Sequence, residues 1–214
     1  LYRYMLGLYD FLERLTKRYP DLLIEGCSGG GGRFDAGMLY YTPQIWCSDN
    51  TDAVDRIRIQ YGTSFGYPIS AVGSHVSAVP NHQTGRITPM KTRGVVAMAG
   101  SFGYELNLSA ISEEDKNCVR EQIDAYHKYW HLIHDGAYYR LTNPFEDREA
   151  AAWLFVSEDK GEALLNTVAL ETHGNPLSLY VTLEGLEPRP CTGMRIQGPN
   201  IREQALCRPE SPFR

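Results

Sequence analysis

The order of the predicted strands and helices is the feature that most constrains the fold of this chain. Short apolar segments typical of buried strands lie at residues 22–25, 44–47, 67–72 and 102–106. Apolar periodicity or capping residues predict helices over 4–15, 51–61 and 90–98 and from Ser112 onward. A strand, a polar loop and a helix therefore repeat four times between residues 1 and 134.

The ends of the predicted strands indicate the architecture to which this repeat belongs. Each strand begins with plain apolar residues and ends in glycines or polar residues. A (β/α)8 barrel shows this asymmetry because its active site lies at the carboxyl ends of its strands, and it takes about 250 residues. We therefore predict an α/β fold in which residues 1–135 form the second half of a (β/α)8 TIM barrel.

The pattern changes to a period of two from about Tyr138. Antiparallel strands are predicted at 150–156, 163–170 and 177–183, with turns at Gly161 and at residues 174–176. We predict a small, partial antiparallel β-sandwich domain over residues 136–186. Residues 187–214 hold five prolines and little alternation, which predicts an irregular tail.

Composition limits the class of partner and the compartment. The net charge is −5 and Lys and Arg are scattered, which argues against nucleic acid, and no apolar run of 18 residues predicts a membrane span. Five cysteines without a CxxC pair argue against a disulfide framework or a zinc site and favour a reducing compartment. We expect a cytoplasmic protein, although the start of the sequence, without Met, makes the lack of a signal peptide uninformative.

Asp49 is the first candidate for chemistry. It directly follows an apolar strand, at the position where a barrel would present a carboxyl group as a general acid and base. The alternative is that Ser48 or Asp49 caps the helix that follows. The residues alone leave both interpretations open.

A second candidate is the loop that begins at Cys27 and contains glycines at 29–32. Glycine lets backbone N–H groups approach a ligand closely. No Gly-Lys-Ser/Thr sequence and no ribose-binding acid accompany it, which argues against a nucleotide site. A turn beneath a sugar hydroxyl and a purely structural turn both remain open.

Other polar and aromatic residues have plainer interpretations. The spacing of His75 and His82 matches no zinc motif, so each is expected to form hydrogen bonds rather than bind a metal. Asp52 and Asp55 are expected on the solvated face or the first turn of a helix, where Arg56 could pair with either. Trp46 fits core packing at least as well as stacking on a sugar.

Three long segments resemble glycoside hydrolase family 36, the family of microbial α-galactosidases and plant raffinose-type synthases. Residues 27–35 read Cys-Ser-Gly-Gly-Gly-Gly-Arg-Phe-Asp and residues 46–53 read Trp-Cys-Ser-Asp-Asn-Thr-Asp-Ala. Residues 73–83 read Gly-Ser-His-Val-Ser-Ala-Val-Pro-Asn-His-Gln. The motifs occur in the family's order, and the similarity extends from Leu1 to about Leu186.

The resemblance implies roles for three residues of this chain. The family places its general acid/base on the Asp of the Ser-Asp-Asn motif, here Asp49, and contacts galactose through Cys27 and Gly30. The family's nucleophile lies in a Lys-Trp-Asp motif that this sequence lacks and that we expect upstream of Leu1. The family's other sugar-pocket residues are expected upstream of Leu1 as well. Gly26 replaces a usual Asn and Cys47 a usual Thr or Ser, two departures beside the site that could tune affinity.

The function implied is retaining hydrolysis of terminal α-linked galactose from melibiose and raffinose-type oligosaccharides, without a cofactor or metal. The resemblance also implies a homo-oligomer, since family members are often tetramers, and we expect the chain alone to be inactive. Two alternatives stay open: a galactosyltransferase that makes raffinose-type sugars, and a non-catalytic sugar-binding relative.

Overall fold

A computed structural model describes residues 1–171, 174 and 181–186 of the chain. The chain divides into two compact units, 1–128 and 129–214. The helices are α1 (Tyr2–Arg18), the single turns α2 (Ser28–Gly31) and α3 (Ala36–Leu39), α4 (Ala53–Thr63), α5 (Met90–Ala97) and α6 (Glu113–Asp135). The strands are β1 (Glu25–Gly26), β2 (Gln44–Trp46), β3 (Val72–Ser77), β4 (Ser101–Glu105), β5 (Ala137–Arg140), β6 (Ala150–Val156) and β7 (Ala163–Ala169).

The first unit is built on a parallel sheet in which β1, β2, β3 and β4 lie side by side in chain order. The register pairs Ile45 with Val72 and His75 with Gly103. Helices connect each strand to the next, with α4 between β2 and β3 and α5 between β3 and β4. Consecutive parallel neighbours joined by helices are the arrangement of a (β/α)8 barrel, and the predicted α/β fold is confirmed.

Alternation along the strands separates two faces of this sheet. On one face, Ile45 is fully buried in a cluster with Leu12 of α1 and Met38 of α3. Val76 of β3 lies on the same side, packed against α5 and α6 through Met90 and Val119. This apolar layer fixes the strands against the helices.

The second unit contains an antiparallel sheet in the order β5, β6, β7. All seven residues of β6 are buried, and its register pairs Tyr138 with Phe155 and Leu154 with Leu165. This confirms the predicted antiparallel sheet. Of the third predicted strand, residues 177–180 lie outside the described part of the chain and 181–183 are described without strand structure. The predicted tail, 187–214, also lies outside the described residues, and the domain boundary at residue 135 stays a prediction.

The predicted position of β3 was wrong at both ends of the strand. The strand expected at 67–72 lies at Val72–Ser77, and residues 69–71 form a short 3-10 turn after Pro68. Gly73, Ser74 and His75, expected to follow the strand, lie inside it. Ser74 is buried and donates to Gln60 Oε1 at 2.7 Å, so a polar residue occupies the helix-facing side and interrupts the apolar pattern.

The sequence also predicts that Val119, Ile123, Tyr126 and Trp130 share one apolar face of α6, and this prediction needs correction. Val119 is buried and Tyr126 donates to the Gly100 carbonyl, but Ile123 and Trp130 are 37% and 44% exposed. Gln122 lies on the buried face instead, donating to the Met90 carbonyl at 3.0 Å. A buried glutamine is invisible to a search for apolar periodicity. Across the described residues, no helix combines the length and apolarity needed to cross a bilayer.

Replacing Ile45 by Ala is expected to lower the free energy of unfolding by about 2–5 kcal/mol, because the cavity would open inside a close-packed cluster. The milder Ile45→Val is expected to cost about 0.5–1.5 kcal/mol. Urea-induced unfolding measures both. Ile123→Ala is the matched control on an exposed site and should change stability by no more than about 0.5 kcal/mol; equal losses at positions 45 and 123 would contradict this packing.

Candidate active site

The loops that follow β1, β2 and β3 meet at the carboxyl edge of the parallel sheet. The loop after β1 runs through Cys27 and the glycines, and its Gly31 lies against the carbonyl oxygens of Trp46 and Cys47 at the end of β2. The loop after β3 reaches back to the start of α4, where Asn81 Nδ2 donates to Thr51 Oγ1 at 3.0 Å. The predicted site residues are therefore concentrated at one edge.

Gly30 and Asp49 lie in direct contact. Gly30 adopts φ +72°, a left-handed conformation that glycine tolerates without strain. A Cβ placed on Gly30 would lie 2.8 Å from Asp49 N and 3.2 Å from the Asp49 carboxyl carbon. A side chain at position 30 would thus displace Asp49, so glycine is required by the closeness of the two loops as well as by φ.

Cys27 opens the glycine loop. Its carbonyl accepts from Gly31 N at 3.1 Å, and its thiol is free in an exposed residue. Gly26, just before it, has a different surrounding: a Cβ there would lie 2.9 Å from Ile45 Cγ1, on the helix-covered side of the sheet. The departure at position 26 therefore concerns packing against β2, whereas Cys27 opens the loop that carries Gly30.

The capping interpretation of Ser48 and Asp49 is wrong. Asp52 caps α4, accepting from Val54 N at 2.9 Å and from Asp55 N at 3.2 Å. Ser48 Oγ accepts from Asn50 N at 3.1 Å, within the loop. Asp49 is exposed at the sheet edge. Its carboxylate is thus available for a task other than ending the helix.

Arg56 supports the backbone of the loop that carries Asp49. Its guanidinium is buried and donates to the Ser48 carbonyl at 3.3 Å and to the Gly73 carbonyl at 2.7 Å, joining the loop after β2 to the second residue of β3. It also lies 5.4 Å from the centre of the Trp46 ring, within cation–π range. Burial lowers the pKa of Arg56, yet an arginine keeps its charge at neutral pH.

The expected pairing of Arg56 with Asp52 or Asp55 was wrong, because the basic partner of both aspartates is Arg86. Arg86 forms an ion pair with Asp52 and lies 3.4 Å from Asp55. Asp52, expected on a solvated turn, is only 2% exposed. Burial raises its pKa, but hydrogen bonds from Thr84 and the Asp55 amide, together with the Arg86 charge, outweigh this and hold the pKa below its ordinary value.

Arg86 and Thr84 were not identified from the sequence. Both lie in the irregular loop after β3, where neither periodicity nor a motif marks them. The signal that was available concerns Asp52: an Asp directly before a helical segment is typical of an N-cap. The sequence could not show that this cap would be buried by a loop more than thirty residues further along the chain.

Trp46 and His75 form an aromatic pair beneath the site. Their ring centroids are 4.3 Å apart at 47°. His75 Nδ1 is buried and, within the described residues, has no hydrogen-bond partner, contrary to expectation. Burial lowers the pKa of His75, against the opposing charges of Glu25 and Glu105, so its ring is neutral at neutral pH. Packing against another ring is therefore the observed role of Trp46 on this side.

Metal-ligand clusters and cavities are two other features by which a site can be located among the described residues. In the part of the chain that the structure describes, no three His, Cys, Asp or Glu side chains are placed to hold a metal, and His82 is exposed. A cavity of about 260 Å³ lies beside Asp49's neighbour Cys47, but neither Asp49 nor Gly30 lines it. Its lining residues are Phe34, Cys47, Gly62, Thr63, Gly66 and Tyr67.

Asp52→Asn is expected to destabilise the protein most at neutral pH and progressively less below about pH 4, the ordinary range of an Asp pKa. A carboxyl group whose pKa is lowered in the folded state stabilises the fold above its unfolded-state pKa, and this contribution is lost as the pH falls through the folded pKa. Urea unfolding of both proteins across this range measures the difference. A difference that does not change with pH would contradict the ion pair.

A comparison with known families and proteins places these loops in context. The Melibiase family model matches residues 1–136. The bifunctional alpha-galactosidase/sucrose kinase AgaSK of Mediterraneibacter gnavus is 65% identical over 187 residues, which is 87% of this chain and 20% of that protein. The alpha-galactosidase AgaA of Geobacillus stearothermophilus is 54% identical over 186 residues, 87% of this chain and 25% of that protein.

Solved structures agree. The galactosidase domain of AgaSK superposes with a TM-score of 0.85 at 65% identity, over 87% of this chain and 26% of that one. A variant of AgaA, a GH36 α-galactosidase, in complex with raffinose gives 0.84 at 53% identity, over 87% and 26% of the two chains; another AgaA variant is in complex with stachyose. The chain thus spans between a fifth and about a quarter of the length of these relatives. Because the family model covers more than half of the 214 residues, the chain belongs to the Melibiase family, and the AgaA structures that it resembles are those of α-galactosidases of glycoside hydrolase family 36.

Proposed function

We propose that this chain supplies the general acid/base part of the active site of a retaining α-galactosidase. One observation carries the proposal: the Asp49 carboxyl group lies against the left-handed Gly30, at the carboxyl edge of the sheet, while Asp52 performs the capping role. An exposed carboxylate at this edge can both meet a sugar and exchange a proton with it.

The proposed mechanism uses two carboxyl groups about 5–5.5 Å apart across the glycosidic bond. One attacks the anomeric carbon and forms a covalent intermediate. Asp49 protonates the departing glycosidic oxygen and then removes a proton from the water that hydrolyses the intermediate. The sequence holds no Lys-Trp-Asp motif, so the nucleophile is proposed to come from another segment of the enzyme, and the 214 residues alone are proposed to be inactive.

The substrates proposed are terminal α-galactosides of the melibiose and raffinose type. Support comes from the AgaA variants whose structures contain raffinose and stachyose. Cys27 and Gly30 are proposed as contacts of the galactose ring, since both belong to the loop that lies over the ends of β1 and β2. Hydrolysis is proposed rather than galactosyl transfer to another sugar, because water is then the only acceptor that the reaction needs.

The proposal is tested in a chimera in which this chain replaces the aligned segment of the AgaSK galactosidase domain, which is 65% identical. Asp49→Ala should lower kcat/KM for melibiose by roughly 100- to 10,000-fold, the usual contribution of a general acid. With an aryl α-galactoside, added azide should restore turnover and yield α-galactosyl azide, because a small anion needs no base to attack the covalent intermediate.

The matched control is Asp124→Ala, which removes an exposed carboxylate from α6. It should behave like the parent chimera with and without azide. If Asp49→Ala also behaves like the parent, or forms no azide product, Asp49 is not the acid/base.

The contact between the glycine loop and Asp49 gives a second prediction. Gly30→Ala should lower kcat/KM by about 100-fold, as expected for a displacement of a catalytic group by about 1 Å. Gly29→Ala is the control, since Gly29 has nearly the same backbone (φ +65°) but no atom within 4 Å of its Cβ position. It should cost only about 1–2 kcal/mol of stability from the left-handed conformation. Equal activities of the two variants, measured below their unfolding temperatures, would contradict the role given to this contact.

A further inference from the structure

The loop between β3 and α5 is fastened to the loop that carries Asp49. Thr84 Oγ1 donates to Asp52 Oδ2 at 2.6 Å, and Arg86 forms an ion pair with the same carboxylate. Beside them, Ser77 Oγ donates to the Thr51 carbonyl at 3.1 Å. Most of the side-chain bonds between the two loops thus converge on Thr51 and Asp52.

Asp52 is the most heavily bonded of these groups. Its side chain is 1% exposed, whereas that of Arg86 is 42% exposed. Oδ1 accepts from two amides at the start of α4, Val54 N and Asp55 N, while Oδ2 accepts from Thr84. A buried carboxylate with both oxygens engaged is confined to one position, and breaking such a set exposes the remaining partners to a desolvation penalty.

A short chain of hydrogen bonds links Asp52 to Asn50 and Ser48, the residues on either side of Asp49. Asp52 N donates to Asn50 Oδ1 at 3.0 Å, and Asn50 Nδ2 donates to Asp55 Oδ2 at 2.8 Å. Asn50 N in turn donates to Ser48 Oγ. The residues on both sides of Asp49 are therefore held by side chains that depend on the position of the α4 terminus.

We propose that Asp52, through its ion pair with Arg86 and its bond from Thr84, is a positioning residue for Asp49. It clamps the loop after β3 onto the start of α4 and so fixes the direction in which the Asp49 carboxyl group points. This inference rests on the acid/base role proposed for Asp49. The clamp acts on proton transfer to the leaving group and leaves the binding of galactose to other residues.

The capping role and the clamping role of Asp52 can be separated by substitution. Asn at position 52 keeps an oxygen that accepts from the helix amides, and Asn is as good an N-cap as Asp. It loses the charge that holds Arg86. Arg86→Gln removes the same ion pair from the half-exposed side and leaves the cap untouched.

The experiment compares two leaving groups in the AgaSK chimera. Melibiose releases a sugar alkoxide that must be protonated, whereas 2,4-dinitrophenyl α-galactoside releases a phenolate that needs no acid. Asp52→Asn and Arg86→Gln should each lower kcat/KM for melibiose by roughly 10- to 100-fold, as expected for a misplaced catalytic group. For the dinitrophenyl substrate, both should stay within about threefold of the parent, because no general acid is required.

Ser112→Ala is the matched capping control. Ser112 Oγ accepts from Asp115 N at the start of α6, so its loss should leave the turnover of both substrates unchanged. Equal losses on both substrates for Asp52→Asn, or no loss on either, would overturn the clamp. Asp49→Ala separates failure of the clamp from failure of the acid/base role. If Asp49→Ala loses activity on melibiose but not on the dinitrophenyl substrate and Asp52→Asn does not show this difference, only the clamp fails. If Asp49→Ala lacks the difference, the acid/base role fails and the clamp with it.

Discussion

Because β1 to β4 are parallel, the chain must cross back from the end of each strand to the start of the next. All four strands therefore have their carboxyl ends at one edge of the sheet. The apolar layer around Ile45 and Val76 holds the strands in register against the helices. Loops at that edge can then be irregular and rich in glycine or charge without weakening the core. Asp49 and Gly30 meet because β1 and β2 are neighbours in the sheet.

The same edge is where this unit concentrates buried charge. Arg56 and Asp52 are each at most 3% exposed, and their side chains bond to different partners. The Arg56 guanidinium donates to the Ser48 and Gly73 carbonyls, whereas the Asp52 carboxylate is satisfied by backbone amides, Thr84 and Arg86. Burying a charge is costly unless it is fully hydrogen-bonded, so such groups tend to be kept where they fix geometry.

Much of the fold could be predicted from the sequence, and two of the errors share a cause. β2, β4, β6 and the start of α4 have the apolar runs or N-cap that reveal them. β3 was displaced because Ser74 and His75 interrupt its apolar pattern, and the buried face of α6 was misjudged because it centres on Gln122. Each of these polar side chains is explained by a tertiary partner or neighbour, such as Gln60, Trp46 or the Met90 carbonyl, that lies far away in sequence.

The sequence by itself determined the family, the α/β class and the presence of Asp49 and Gly30 in motifs that resemble those of glycoside hydrolase family 36. The order of residues along the chain is enough for this, because a motif is a run of neighbouring residues. Only the tertiary structure decided that Asp52 is the helix cap and that Arg86 is its partner. The contacts of Asp52 with Arg86 and of Gly30 with Asp49 join residues on different loops, and their existence depends on strand register and on the path of each crossover. Those are properties of the packed sheet, which no local pattern encodes.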